Sequence, residues 1–190
     1  LGNFNPKFTL GWSNTFGYKN FSLNVLIDGR VGGTMVSGSE ANLAFDGNSD
    51  YTAEHREGGW VLPGVGNESG KENTIGVTSQ QFWQTVSQGR YSWGEFFSYN
   101  TTNFRVRELS LGYNIPLASQ RFFTNAKISL TARNLFFLYR GYAKMDIPGI
   151  KKRKMNFDPD VNLGAGNYQG IDYGNLPTTR TMGLNLQLSF

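Results

Sequence analysis

Hydrophobic and polar residues alternate with period two along five stretches of this chain, and period two is the side-chain repeat of a β-strand. The last stretch, 179–190, is unbroken. Arg180, Met182, Leu184, Leu186, Leu188 and Phe190 share one parity, and Thr179, Thr181, Gly183, Asn185, Gln187 and Ser189 the other. Stretch 6–16 sets Phe8, Leu10, Trp12 and Phe16 against Lys7, Thr9, Ser13 and Thr15. Stretch 20–31 places Phe21, Leu23, Val25 and Ile27 opposite Ser22, Asn24 and Asp28, with Leu26 out of step. In 103–114, Leu109, Leu111 and Tyr113 alternate with Glu108, Ser110, Gly112 and Asn114. In 126–138, Ala126, Ile128, Leu130, Ala132 and Phe136 oppose Lys127, Ser129, Thr131 and Arg133. Arg105 and Arg107 share the parity of the leucines that follow them. They belong on an apolar face only if they lie above it or if a bulge shifts the register, and the first is the expectation here.

Two-faced strands occur in soluble sandwiches, but such a strand seldom stops on its last apolar residue with nothing to shield the edge. A transmembrane β-barrel accounts for it, because apolar side chains meet lipid, small polar ones face the lumen, and a strand of about 9 to 11 residues crosses the hydrocarbon. The connections then alternate in length. Residues 17–20 and 115–125 make short ones, 32–102 and 139–178 long ones. Bacterial barrels pair short periplasmic turns with long extracellular loops, which puts the C-terminus on the periplasmic side. Five strands do not close a barrel, since the smallest use about eight. The expected fold class is therefore all-β: a five-strand segment of a large antiparallel transmembrane barrel, its edges pairing with strands outside this sequence.

Composition sharpens this picture at a few points. Mean hydropathy is −0.41 and 38% of residues are hydrophobic, so no stretch approaches the roughly 18 apolar residues of a membrane helix. A barrel hides its hydrophobicity in alternation. Aromatics at 15% and 24 glycines suit strands, interface girdles and irregular loops. Cysteine is absent, which fits an exported chain. The net charge of +4 owes much to Lys151, Lys152, Arg153 and Lys154, a run that reads as a solvated loop rather than a nucleic-acid site. Residue 1 is a leucine with no signal-peptide pattern behind it, and the alternation is already under way by residue 6, so the chain reads as the C-terminal part of something larger.

No catalytic set emerges, and the expected activity is non-enzymatic, without cofactor or metal. His55, in Ala53-Glu54-His55-Arg56-Glu57, has no serine or cysteine motif beside it and reads as a loop residue. Asp146, Asp158, Asp160 and Asp172 gather in the last long connection without the spacing of a calcium loop, which favours turn formation. Gly164-Ala165-Gly166 is followed by Asn167, not by a phosphate-binding lysine, and is turn chemistry. The first long connection is aromatic-rich: Trp60, Phe82, Trp83, Tyr91, Trp93, Phe96, Phe97 and Tyr99. Residues 79–87 suggest a short helix with Phe82, Trp83 and Val86 on one side and Thr78 or Ser79 as its cap. Packing inside the connection accounts for most of these aromatics, and Trp93, Phe96 and Tyr99 are the candidates for contact with a ligand or partner.

The run 103–116, NFRVRELSLGYNIP, resembles the late-barrel motif of SusC/RagA-type TonB-dependent outer-membrane transporters. Ala132-Arg133-Asn134-Leu135-Phe136 is similar to that family's next strand, and 166–180, GNYQGIDYGNLPTTR, to its final loop and last-strand lead-in. Gly58-Gly59-Trp60 and Phe82-Trp83 match its long extracellular segment more diffusely. The resemblance implies a twenty-two-stranded barrel with an N-terminal plug lying outside this chain, importing a bulky nutrient such as an oligosaccharide or peptide. It also implies TonB as the energy source, a SusD-like surface lipoprotein as lid, and recognition of the terminal strand, with Leu186, Leu188 and Phe190, by the barrel-assembly machinery. A SusC-like subunit of a secretion or assembly complex is the first rival, and a soluble β-sandwich binding domain the second.

Overall fold

The computed structural model describes residues 1–57, 59–67, 69–88, 93–117, 124–164 and 166–190. Gly58, Tyr91, Ala165, the side chain of Asn167 and the middle of the 115–125 connection lie outside the described residues. In chain order the strands are β1 (Phe8–Tyr18), β2 (Phe21–Val31), β3 (Thr34–Ser37), β4 (Trp60–Val61), β5 (Gly76–Val77), β6 (Ser98–Asn100), β7 (Asn103–Asn114), β8 (Asn125–Arg140), β9 (Ile171–Asp172) and β10 (Thr181–Ser189). Two helices, α1 (Gly38–Phe45) and α2 (Ser79–Val86), fall within the first long connection.

The chain divides into two units. One comprises 6–32, 102–140 and 178–190, and is a single antiparallel sheet in the order β1-β2-β7-β8-β10. Its register matches faces, as a strand period of two demands. Phe16 pairs with Leu23, Leu23 with Leu111, Leu111 with Leu130 and Leu130 with Leu184, all apolar. One residue along, Thr15, Asn24, Ser110, Thr131 and Gly183 form a polar row. A tight connection at Lys19 and Asn20 joins β1 to β2, with Lys19 in the left-handed region at φ 53°.

The position of the two arginines corrects the expectation that they lie above the apolar surface. The register of β7 shifts between Val106 and Glu108, leaving Arg107 as an extra residue relative to β2. That bulge reverses the parity of everything before it. Phe104 and Val106 therefore join the apolar face and Arg105 the polar one, directly opposite Asp28. Leu26 stays out of step, beside this shift. It keeps the polar parity of Asn24 and Asp28 and pairs with Glu108 across the strand gap.

The other unit, 1–5, 33–101 and 141–177, is not the largely irregular connection that the sequence suggests. It holds a three-stranded sheet in the order β6-β3-β9, a β4-β5 ribbon and both helices. Ser37 caps α1, its Oγ accepting from the Glu40 amide at 3.1 Å. Thr78 caps α2 through a reciprocal box, in which the Gln81 amide donates to Thr78 Oγ1 and the Thr78 amide to Gln81 Oε1. The long segment 33–101 is clamped at its ends, where the Thr101 amide donates to the Gly33 carbonyl at 3.1 Å.

Candidate functional site

The five-stranded sheet presents two chemically opposed faces. On the apolar face, Met182, Leu184 and Leu186 are 61–73% exposed, and Trp12, Phe16, Leu111 and Leu130 are exposed beside them. No second sheet covers this face among the described residues of the unit. Aromatics gather at both ends of it. Phe21 and Tyr113 pack with ring centres 4.7 Å apart near the β1–β2 turn, and Phe104 and Tyr139 lie 6.4 Å apart at the far end. Phe104 also lies over Gly29, where a Cβ would meet its ring at 2.6 Å, so the bulge and the glycine are fitted to one another. From the Phe8 row to the Tyr18 row is about 34 Å of strand, which a tilt near 45° reduces to about 24 Å, the height of a barrel's apolar band.

The opposite face carries a connected polar network. Arg107 holds the Asp28 carboxylate with two guanidinium nitrogens, and its Nη1 donates to Asn134 Oδ1 at 3.1 Å. Asn134, in the left-handed region at φ 51°, donates through Nδ2 to the Thr179 carbonyl at 3.1 Å. Arg105 is buried with Nε 3.8 Å from Asp28, and its Nη1 donates to Thr178 Oγ1 at 3.1 Å. Arg133 donates to Glu108 at 2.9 Å. The network thus ties β2, β7 and β8 to the segment leading into β10, and the apolar surface is left with none of these charges.

The second unit has its own core of Ala41, Ala44, Tyr51, Trp60, Phe82, Trp83, Val86, Phe96, Phe97 and Ile147. Arg153 is the surprise within it. The sequence places it in a solvated basic run, yet it is buried, with its guanidinium 5.5 Å from the Tyr51 ring centre and 5.9 Å from those of Trp83 and Phe97. Lys151, Lys152 and Lys154 do remain exposed. Glu40, also buried, accepts from the Tyr51 hydroxyl at 3.2 Å. Burial pushes the Glu40 carboxyl above its ordinary pKa, against the opposing pull of that hydrogen bond and of Arg153. Burial likewise pushes the Tyr51 and Tyr99 phenols up. No sequence signal marked Arg153, because burial of one residue in a run of four bases has no periodicity.

The candidate contact residues separate from one another. Tyr99 is fully buried in a small cluster with Ala143 and Met155, and Phe96 is buried in the main core. Trp93 is 56% exposed, with its ring 5.9 Å from Phe96, and only it offers a surface. Leu186 and Leu188 lie on the apolar parity of β10, and Phe190 follows its last residue, 86% exposed. His55 stacks on Trp60 at 4.9 Å and its Nε2 lies 2.7 Å from the Gly149 carbonyl, a packing role. Asp158 accepts from the Asp160 amide at 3.0 Å, which is turn chemistry, and Asp172 accepts from Ser37 Oγ at 2.6 Å. Among the described residues no group of His, Cys, Asp and Glu is arranged to hold a metal. An open groove of about 730 Å³ beside α1 and α2, lined by Phe45, Asn48, Arg56, Gln80 and Gln84 among others, had no counterpart in the sequence pattern.

No family model matches the chain. TonB-dependent receptor P3 of Formosa agariphila is 25% identical to it over 192 residues, which is all of this chain and 17% of that protein. The solved structure of the RagAB peptide importer in its closed-closed state superposes with a TM-score of 0.55 at 21% identity, covering 97% of this chain and 17% of that one. The fold is that of a TonB-dependent transporter barrel. This barrel segment spans 17% of the length of either relative. Its architecture is one of the outer membrane, and its opposed faces are those such a wall requires.

Proposed function

We propose that the barrel segment forms part of the wall of an outer-membrane importer of bulky nutrients, oligosaccharide or peptide. The observation that carries this is the uncovered apolar face, about 24 Å tall when tilted and bordered by aromatics, backed by a face of arginines, carboxylates and small polar groups. In this reading 1–190 is the C-terminal part of the barrel, with 32–102 and 139–178 extracellular, the β1–β2 turn periplasmic and the C-terminus periplasmic. A plug, and the segment that contacts TonB, belong to sequence upstream. A SusD-like surface lipoprotein closes over the extracellular segments, where exposed Trp93 is the proposed contact. The β10 strand, with Leu186, Leu188 and Phe190, is proposed as the segment that the barrel-assembly machinery pairs with, since strand addition at an open edge is a recurring mode of recognition. Support for import comes from the RagAB neighbour, which is named a peptide importer.

Extraction of the full-length protein from native outer membranes in detergent, followed by mass spectrometry of what co-purifies, tests this. A long chain with a plug and a surface lipoprotein is the expected result. Recovery with secretion or assembly components and without a plug would make the protein a scaffold, and recovery from the detergent-free soluble fraction would remove the barrel reading altogether.

A further inference from the structure

The groove of about 730 Å³ beside α1 and α2 combines a fixed frame with unengaged polar side chains. It opens where α1 ends, where residues 49–56 turn and where α2 begins. Arg56 ties the first two pieces together. Its Nη2 donates to the Gly47 carbonyl at 2.6 Å and its Nε to the Thr52 carbonyl at 3.0 Å. Ser79 Oγ donates to the same Thr52 carbonyl at 2.8 Å, which anchors the start of α2. By contrast, the side chains of Asp46, Asn48, Gln80 and Gln84 make no hydrogen bond or ion pair among the described residues. Gln80 and Gln84 are four residues apart and share one side of α2. Free polar side chains are ordinary on a convex surface. Here they converge on a concavity whose walls other groups already hold, which is the make-up of a preorganised ligand site, and the volume falls within the range of about 300 to 1,000 Å³ for such sites.

The lining points to the class of ligand. Among the described residues its only charged side chains are Arg56 and Asp46, which cancel, so the groove has no net charge with which to gather an ionic ligand. None of its described residues belongs to a strand, so an extended peptide finds no ladder to join. Three side-chain amides each set a donor beside an acceptor, and that suits adjacent hydroxyls, which both donate and accept. Phe45, 39% exposed, adds a flat apolar face of the kind that packs on the C–H side of a sugar ring. We propose that this groove binds a neutral oligosaccharide, with Asn48, Gln80 and Gln84 holding its hydroxyls, Asp46 accepting from one of them and Phe45 stacking on a ring. Binding stands on the geometry of this unit, whereas treating the bound glycan as cargo rests on the importer reading above.

Full-length protein purified from outer membranes in a sugar-free detergent is titrated with neutral hexasaccharides of glucose, mannose, xylose and galactose, with hexagalacturonate, and with a pool of Gly-Ser-Ala hexapeptides. At least one neutral hexasaccharide binds, and added salt leaves its affinity unchanged, as an uncharged ligand requires. Asn48→Ala and Gln80→Ala each weaken it about threefold or more, the effect of one lost hydrogen bond. Gln169→Ala, at an exposed amide outside the groove, does not. Neither Asn48 nor Gln80 holds the fold through its side chain, so both variants keep the protease resistance of segment 33–101 without ligand, and weakened binding with that resistance intact is a loss of the site. Gln84→Ala gives the same reading in place of a variant that loses it. No binding of any neutral hexasaccharide, preference for hexagalacturonate or for the peptide pool, or binding indifferent to the groove substitutions overturns the inference. Uptake by intact cells is measured separately: groove binding without uptake supports the site and counts against the importer reading alone.

Discussion

Arg153 and Glu40 are two buried charges in a core built mostly from aromatics, and the guanidinium, held by rings and by the Met145 carbonyl, eases the burial of the carboxylate. The guanidinium lies against the faces of Tyr51, Trp83 and Phe97, and its charge offsets that of the Glu40 carboxylate. Truncation by Arg153→Ala removes three ring contacts and leaves Glu40 without its compensating charge. The expected cost is about 3 to 5 kcal/mol of local stability, read as a steep rise in protease sensitivity of segment 33–101 in the otherwise intact protein. Glu40 gives a pH signature of definite sign. Its folded pKa is raised, so the folded state binds the proton more tightly than the unfolded chain. The stabilisation that follows is complete below the ordinary glutamate range and is lost as pH rises through the raised value. Glu40→Gln should therefore flatten the pH dependence of melting just above pH 4.5 and leave the protein at least as stable near neutrality. A melting temperature that falls at neutral pH in this variant would show that the Tyr51 hydrogen bond to the carboxylate outweighs the burial penalty.

At the scale of the strand, the two faces make opposite demands on substitution. Leu186→Lys on β10 places a charge on the apolar face and is expected to cost about 2 to 4 kcal/mol, whereas Gln187→Lys, one residue along, is expected to cost well under 1 kcal/mol. Yield of heat-modifiable protein in the outer membrane measures the difference. Gly29→Val sets a branched side chain where even a Cβ meets the Phe104 ring at 2.6 Å, and should cost about 1 to 3 kcal/mol with the same readout. Strands were legible in the sequence because their alternation repeats over ten or more residues. The bulge at Arg107 was not, since one inserted residue leaves the local pattern looking regular while reversing everything before it. Helix α1 was likewise invisible, at eight residues too short to establish a 3.6-residue period. Of the candidate contacts, burial separates Tyr99 and Phe96 from Trp93, and aromatic composition alone cannot separate them. Helix α2, equally short, was readable because Phe82, Trp83 and Val86 fall on one side behind a Thr78 cap, and the Gln81 half of its capping box emerges only in the structure.

At the scale of the whole molecule, β1 and β10 are the outer strands of the sheet and each pairs on one side only among the described residues. A sheet with two open edges and a bare apolar face is an aggregation template in water. Residues 1–190 produced alone should therefore precipitate without detergent, a result that centrifugation of the refolded fragment checks directly and that a soluble sandwich would not give. The clamp between Thr101 and Gly33 bears on how such a chain diversifies. Because the two ends of segment 33–101 are hydrogen-bonded to each other, the strands that flank it are joined across a short span whatever lies between. Closure entropy grows only with the logarithm of loop length, so insertions and exchanges inside the clamp leave β2 and β7 in register at small cost. A lineage carrying this arrangement can replace most of segment 33–101 without disturbing the sheet, and its variation becomes a matter of recombination between two fixed points.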